Sequence, residues 1–221
     1  MPTQAISAYG IELWLGDGVP LAPVAVLGGT PTTPIVLQTD PHGIPTDGID
    51  VVTVAGVVGL TGANGTWQVQ AVDATHLRLR GSVGGGAYTS GGTVTPGNTY
   101  HMVACITDVQ DAGIQAVLID VSCHDGQGYV SRIPTFLNGN QIRVMYNLIP
   151  TDYTHNGITG FPELMISRAR RHWILVFPDA AKSAWDFTAF VASNRDQAPV
   201  QGALTGTATL ELVDAPNLVA A

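Results

Sequence analysis

Apolar side chains return at every second position in several stretches of this chain, the spacing of a strand with one covered and one open face. Ile11, Leu13 and Leu15 alternate with Glu12 and Trp14, and Met102, Ala104 and Ile106 alternate with His101, Val103, Cys105 and Thr107. The period continues in Ile142, Val144, Tyr146 and Leu148, in Trp173, Leu175 and Phe177, and through Trp185 to Val191. It is cleanest at the end, where Leu204, Ala208, Leu210 and Leu212 face one way and Thr205, Thr207, Thr209 and Glu211 the other. With 24 Val and 23 Thr beside 26 Gly and 14 Pro, the chain favours strands punctuated by turns over helices. One helix is predicted: Phe161, Leu164, Met165 and Ala169 recur at helical spacing, Pro162 suits its first position and Glu163 the positive end of its dipole. Arg168, Arg170 and Arg171 crowd its far end, as dipole complements on a solvated face or as an anion site.

Glycine is unevenly spread. Thirteen of the 26 fall between Thr30 and Asn98, which marks residues 30–98 as a separate module. Val19-Pro20-Leu21-Ala22-Pro23 and Leu27-Gly28-Gly29-Thr30-Pro31 read as connecting segments before it, and Thr95-Pro96-Gly97-Asn98 as one after it. The expected organisation is a discontinuous β domain of residues 1–27 and 99–221, interrupted by a small β domain at 30–98.

Charge and cysteine usage narrow the function. Nine basic residues against 17 acidic ones leave a net charge of −8, which excludes a duplex-binding protein held by phosphate neutralisation. The 221 residues allow one large domain or two modest ones, each able to bury a core without disulfides. Two cysteines, Cys105 and Cys123, exclude a disulfide-rich scaffold and a four-cysteine zinc site; they are either buried free thiols or a lone bridge. The start of the chain has no positive region before an apolar stretch, so no secretory signal is expected. The longest apolar run, Val51 to Leu60, falls far short of the ~20 residues that span a bilayer, so a soluble protein is expected. Only 12% of residues are charged and the mean hydropathy is +0.23, a surface poor enough in charge to predict self-assembly.

Residues for catalysis are sparse. No two of the six histidines stand at the i, i+4 spacing of paired helical metal ligands. In Cys123-His124-Asp125 adjacent side chains point to opposite sides of a strand, so the tripeptide cannot itself form a nucleophile and base pair. No nucleophile elbow or phosphate-binding lysine loop occurs, and Gly84-Gly85-Gly86 precedes no helix that could hold an anion. Asn64-Gly65-Thr66 matches a glycosylation acceptor, which is idle without secretion. Asp108 with Asp111, and Asp47 with Asp50, lie beside turn residues where Asp serves local hydrogen bonding. No catalytic, cofactor-binding or metal-binding residue is nominated, and an enzyme is not expected.

After residue 99 the sequence resembles a family. Ile106-Thr107-Asp108-Val109, then Ile119 to Asp125, then Gly128-Tyr129-Val130-Ser131-Arg132-Ile133-Pro134-Thr135-Phe136-Leu137-Asn138-Gly139 is similar to the major tail protein of long, non-contractile phage tails. The resemblance runs on through Phe177-Pro178-Asp179, Trp185 to Val191 and Ala203 to Leu210, and the opening Gln4 to Gly10 also fits. Two features depart from it: Asn138-Gly139-Asn140-Gln141 stands where the family often has Asp-Gly-Gly-Glu, and the insert splits the first strand from its partner. Pro41-His42-Gly43, Val54-Ala55-Gly56, Ala63 to Trp67, Val72 to Thr75 and Gly91-Gly92 resemble a small β-barrel module of phage structural proteins, one named after a domain of ubiquitin-activating enzymes. No enzymatic role carries over, since both cysteines lie outside residues 30–98.

The resemblance implies a mainly β, tail-tube-type sandwich or barrel with one flanking α-helix and an inserted small β-barrel as decoration. It implies hexameric rings stacked into a tube through which DNA passes without specific binding. Partners would be copies of the chain itself and tail tape-measure, terminator and tip proteins, with no membrane. The location would be the virion tail, and the host cytoplasm during assembly. Thr205, Thr207, Thr209 and Glu211 are the candidates for the lumen, where short hydroxyls and a carboxylate give DNA no cationic grip. Arg143 lies on that face or the opposite one; a ring of arginines would slow DNA and weaken the tube reading. For ring stacking the candidates are Asp120, Tyr129, Arg132, Ile133, Phe136 and Leu137, in a segment rich in apolar side chains for an exposed loop; the alternative is a hairpin folded onto its own sheet. The insert is expected to project outward, so that deleting residues 30–97 spares assembly. The competing function is a β-rich adhesion or glycan-binding module, with Trp67 and Tyr88 as a sugar platform.

Overall fold

The computed structural model describes residues 10–45, 48–110, 114–120, 132–139, 141–179 and 182–219, with side chains described outside 114–120, 132–139 and 218–219. The chain is mostly β and divides into two compact units, one of Met1–Val103, Arg171–Asp186 and Asn217–Ala221, the other of Ala104–Arg170 and Phe187–Pro216.

In the first unit, β1 (Glu12–Gly16) is followed by β2 (Val24–Thr30), β3 (Ile35–Thr39), β4 (Ile49–Ala55), β5 (Gly65–Ala71), β6 (His76–Leu79) and β7 (Thr93–Pro96). The last six close into an antiparallel barrel in the order β2-β3-β6-β5-β4-β7. Its interior is aliphatic, with Ile35, Leu37, Leu60, Val69, Leu77 and Leu79 at 0% exposure. Closure leaves no unpaired strand edge, which is how a module this rich in glycine stays folded and non-sticky. The barrel starts earlier than the glycine distribution suggests. Leu27-Gly28-Gly29-Thr30, expected as a connecting segment, is the second half of β2, where Gly29 leaves room for Leu60 and Leu37; a Cβ there would come within 2.8 Å and 3.0 Å of their methyl groups.

β1 also pairs with β8 (Tyr100–Met102) and with a later strand that holds Trp173 and Leu175, so Leu13 and Leu15 are buried. Ile49 of β4 shares a buried cluster with Ile174, Val176 and Ala184. The expected continuous strand from His101 to Thr107 is broken. β8 ends at Met102, and Cys105 sits at φ +48, a left-handed conformation that a strand cannot hold. Cys105 is exposed and free, not the buried thiol expected, and Cys123 lies outside the described residues.

The second unit opens with β9 (Ile106–Gln110), the hairpin strands β10 (Ile114–Asp120) and β11 (Arg132–Gly139), and β12 (Gln141–Asn147). Helix α1 (Phe161–Ser167) is followed by β13 (Arg171–Val176), which belongs to the first unit, and β14 (Ala184–Gln197), which begins there and continues in the second. β15 (Thr205–Leu212) completes the second unit, and β16 (Asn217–Val219) pairs with the first residues of β14. Within the second unit β9, β12, β15 and β14 lie side by side, all antiparallel. One face carries the buried Ile142, Val144, Tyr146, Ala208 and Leu210, covered by Phe161 and Leu164 of α1. The helix is shorter than expected: Arg168 turns left-handed at φ +53 and ends it, so Ala169, Arg170 and Arg171 lie beyond it and none of the three arginines is in its last turn. Leu204 precedes β15 and is 41% exposed, unlike the buried residues expected beside it.

Candidate assembly surface

The four residues expected to share one face of the last strand do so. Along β15, Gly206, Ala208, Leu210 and Leu212 are buried while Thr205, Thr207, Thr209 and Glu211 are half-exposed. Register extends that face across the neighbouring strands, because residues directly opposite in an antiparallel pair point to the same side. Thr205, Thr207, Thr209 and Glu211 stand opposite Asn147, Met145, Arg143 and Gln141 of β12. On the other side Thr205, Thr207 and Thr209 meet Gln197, Arg195 and Ser193 of β14, and β9 adds Gln110 and Asp108 opposite Arg143 and Met145.

This settles the side of Arg143, which the sequence leaves open: it lies on the face of the threonine row, the placement that counts against a cation-poor lumen. Arg143 and Arg195 stand on that face, both exposed, against Asp108 and Glu211. Two positive and two negative groups interspersed among Thr, Asn, Gln and Ser, with Met145 and Phe190 as apolar members, leave a largely polar surface whose charges balance.

The opposite face is held by aromatic stacking. Tyr146 stacks on His155 with centroids 4.3 Å apart and on Phe161 at 5.2 Å. Its hydroxyl donates to Asn194 Oδ1 at 2.7 Å, with Asp196 Oδ1 3.3 Å away, and burial together with Asp196 holds its ionisation well above the usual tyrosine range. Gly206, opposite Tyr146, is obligatory: a Cβ there would lie 2.3 Å from the Tyr146 ring. His155 Nδ1 accepts the backbone N–H of Ile149 at 3.2 Å, which assigns the neutral ring its proton on Nε2, and burial lowers its pKa.

The stacking candidates fall on the hairpin. Arg132, Ile133, Phe136 and Leu137 belong to β11 and Asp120 ends β10, so these positions lie in paired strands and not in a loop, while Tyr129 lies outside the described residues. The register pairs Ile119 with Ile133 and Ala116 with Leu137, with a bulge between Ala116 and Leu118. Among the described residues, β10 and β11 form a sheet of two strands only. Such a ribbon is marginal in water by itself, and both of its outer edges present backbone groups for pairing.

Other candidates resolve into structural roles. Trp67 and Tyr88 pack against the barrel core, and their polar tips are tied to backbone, Trp67 Nε1 to Ala63 O at 2.8 Å and the Tyr88 hydroxyl to Val26 O at 2.9 Å, which does not suit an open sugar platform. The Asn64 side chain binds both backbone groups of Val57, at 2.9 and 3.0 Å. Cys123-His124-Asp125 and Asp111 lie outside the described residues, and among the described residues no three His, Cys, Asp or Glu side chains are placed to hold a metal. Asp50 is no turn residue: it lies in β4, 1% exposed, close to Tyr100, and burial raises its pKa to about 8. Sequence reasoning missed this cluster, whose further members His172 and Asp186 come from β13 and β14. Gln68 of the barrel reaches the same Asp186, Nε2 to Oδ1 at 3.0 Å.

No protein-family model matches the chain, and no curated protein matches it. Among solved structures it is similar to a chain of the six-fold symmetrised cryo-EM structure of the anti-feeding prophage baseplate, at 8% identity and a TM-score of 0.42, over 55% of this chain and 85% of that one.

Proposed function

We propose that the chain is a structural protein of a phage-type tail, and that it forms stacked hexameric rings whose bore passes DNA. The observation that carries this reading is the face of β9, β12, β15 and β14: a threonine row flanked by polar side chains and balanced charges, with Met145 and Phe190 as its apolar members, over a buried core on the other side. A wall of this composition wets without offering phosphate a cationic track. The two-stranded β10–β11 hairpin supports the second half of the reading, since its free edges and its Ile133, Phe136 and Leu137 are suited to closure by a neighbouring copy.

Substitution of Phe136 by Ala tests this. The variant is expected to keep the thermal midpoint of the isolated subunit and to stop sedimenting as large assemblies at concentrations where the unaltered chain does. A fall in the midpoint with assembly intact would place Phe136 in the subunit core and remove the hairpin from the stacking contact.

A further inference from the structure

A cleft of about 390 Å³ in the second unit opens between the end of α1 and β14, a volume within the range of small-molecule sites. Met165, Phe190 and Val191 give it an apolar wall, Arg168 and Arg170 give it charge, and Ala192 completes the lining. Two departures from regular backbone build it. In a continued helix Arg168 and Arg170 would project to opposite sides of the axis and could not share a cleft. Arg168 instead turns left-handed at φ +53, a conformation that residues with a Cβ rarely hold, and both side chains reach the same lining. On β14 the register with β15 steps from Val191 opposite Leu210 to Ser193 opposite Thr209, which leaves Ala192 as an extra, exposed residue at a bulge.

Neither arginine lies in the last turn of α1, where the helix dipole would occupy it. Among the described residues neither makes a hydrogen bond or an ion pair, and Glu211, across from Phe190 in the register, makes none either. We propose that the cleft binds a carboxylate carried on an aromatic body, the carboxylate held by Arg168 and Arg170 and the ring laid against Phe190 and Met165. The guanidinium fork matches a carboxylate in charge and in geometry. The ring gains an aromatic contact with Phe190 and a sulfur contact with Met165. A simple anion would forgo the apolar wall, and a neutral aromatic would forgo both cations. The site lies within one subunit, so it goes beyond the tail-tube reading and does not depend on it.

Fluorine-detected NMR titration of the full chain with para-fluorophenylacetate at pH 7 tests the site. The expected result is millimolar binding that weakens as salt rises, with para-fluorophenylacetamide at least about tenfold weaker and sulfate a poor competitor. Arg168→Gln with Arg170→Gln should weaken binding by at least about tenfold. N-acetyl-para-fluorophenylalanine separates two sources of the same group: equal affinity marks the end of a polypeptide as the occupant, exclusion marks a free acid, and both uphold the carboxylate site. Absence of para-fluorophenylacetate binding at about 10 mM overturns the proposal, as does equal binding of the amide, equal competition by sulfate or unchanged affinity in the double variant. The amide and sulfate comparisons use the unaltered chain, so they decide the matter whatever the substitutions do to the fold.

Discussion

Arg143 stands directly across from Thr209 in the antiparallel register of β12 and β15, so a guanidinium shares the face of the threonine row. With Arg195 it offsets Asp108 and Glu211. On the proposed function, balance of charge on that face, and not the absence of cations, is what would keep phosphate from being held there.

Upsetting that balance is expected to show. Asp108→Asn with Glu211→Gln leaves two arginines uncompensated, and assembled protein should then retain duplex DNA at low salt and release it as salt rises. The unaltered protein should retain none under the same conditions, as measured by co-sedimentation. Both changes lie on exposed or half-exposed positions and should alter subunit stability by less than about 0.5 kcal/mol.

Gly206→Ala probes the stack on the other face. The added methyl would lie 2.3 Å from the Tyr146 ring, far inside van der Waals contact, so the ring must move off His155 and Phe161. A loss of about 1–3 kcal/mol in urea unfolding is expected, as for overpacking elsewhere. Ala at Thr207, one residue on and outward-facing, should cost much less.

His155 makes this stack sensitive to acid. Its folded pKa is lowered, so its contribution is fully present above the unfolded value near 6.5 and is lost as pH falls below that value. Protonation of Nδ1 would also set a donor against the Ile149 N–H. Stability should therefore drop as pH falls from 7 towards 5, and His155→Phe should flatten the slope. His42, buried and shifted the same way, supplies a residual slope in that variant.

Asp50 acts with the opposite sign. Its folded pKa is raised to about 8, so the folded state holds a proton that the unfolded chain has released above about 4, and stability is lost as pH rises through that window. The slope from this group is at most about 1.4 kcal/mol per pH unit. Asp50→Asn should remove it, so that the variant gains on the parent with each step from pH 5 to pH 8 in denaturant titrations.

The alternation of β12 and β15 was legible because each strand has one covered and one open face, and the threonine row followed directly. The side of Arg143 was not, because it depends on which residue of β15 it meets, and register between distant strands leaves no trace within either strand. The break between β8 and β9 rests on one backbone angle at Cys105, and the early end of α1 on another at Arg168. Hydrophobic periodicity carries neither. Asp50 was misread because Asp47-Gly48 beside it looks like turn chemistry, whereas its burial comes from Trp14 and Tyr100, 36 and 50 residues away along the chain.

Removal of residues 24–97, the whole barrel from the start of β2, takes Ile49 and Gln68 away from Ile174, Val176 and Asp186. The shortened chain should unfold at lower temperature than the parent while still forming assemblies, because β9, β12 and β15 are untouched. A stably folded deletion that no longer assembles would make the barrel part of the assembly surface and not its decoration.

Electron microscopy of the purified chain at rising concentration bears most directly on the tail-tube reading. Six-fold rings and stacked tubes of uniform bore, wide enough to pass a DNA duplex, are the expected result. A population that remains monomeric at every concentration, with β10–β11 closed on itself, would contradict it.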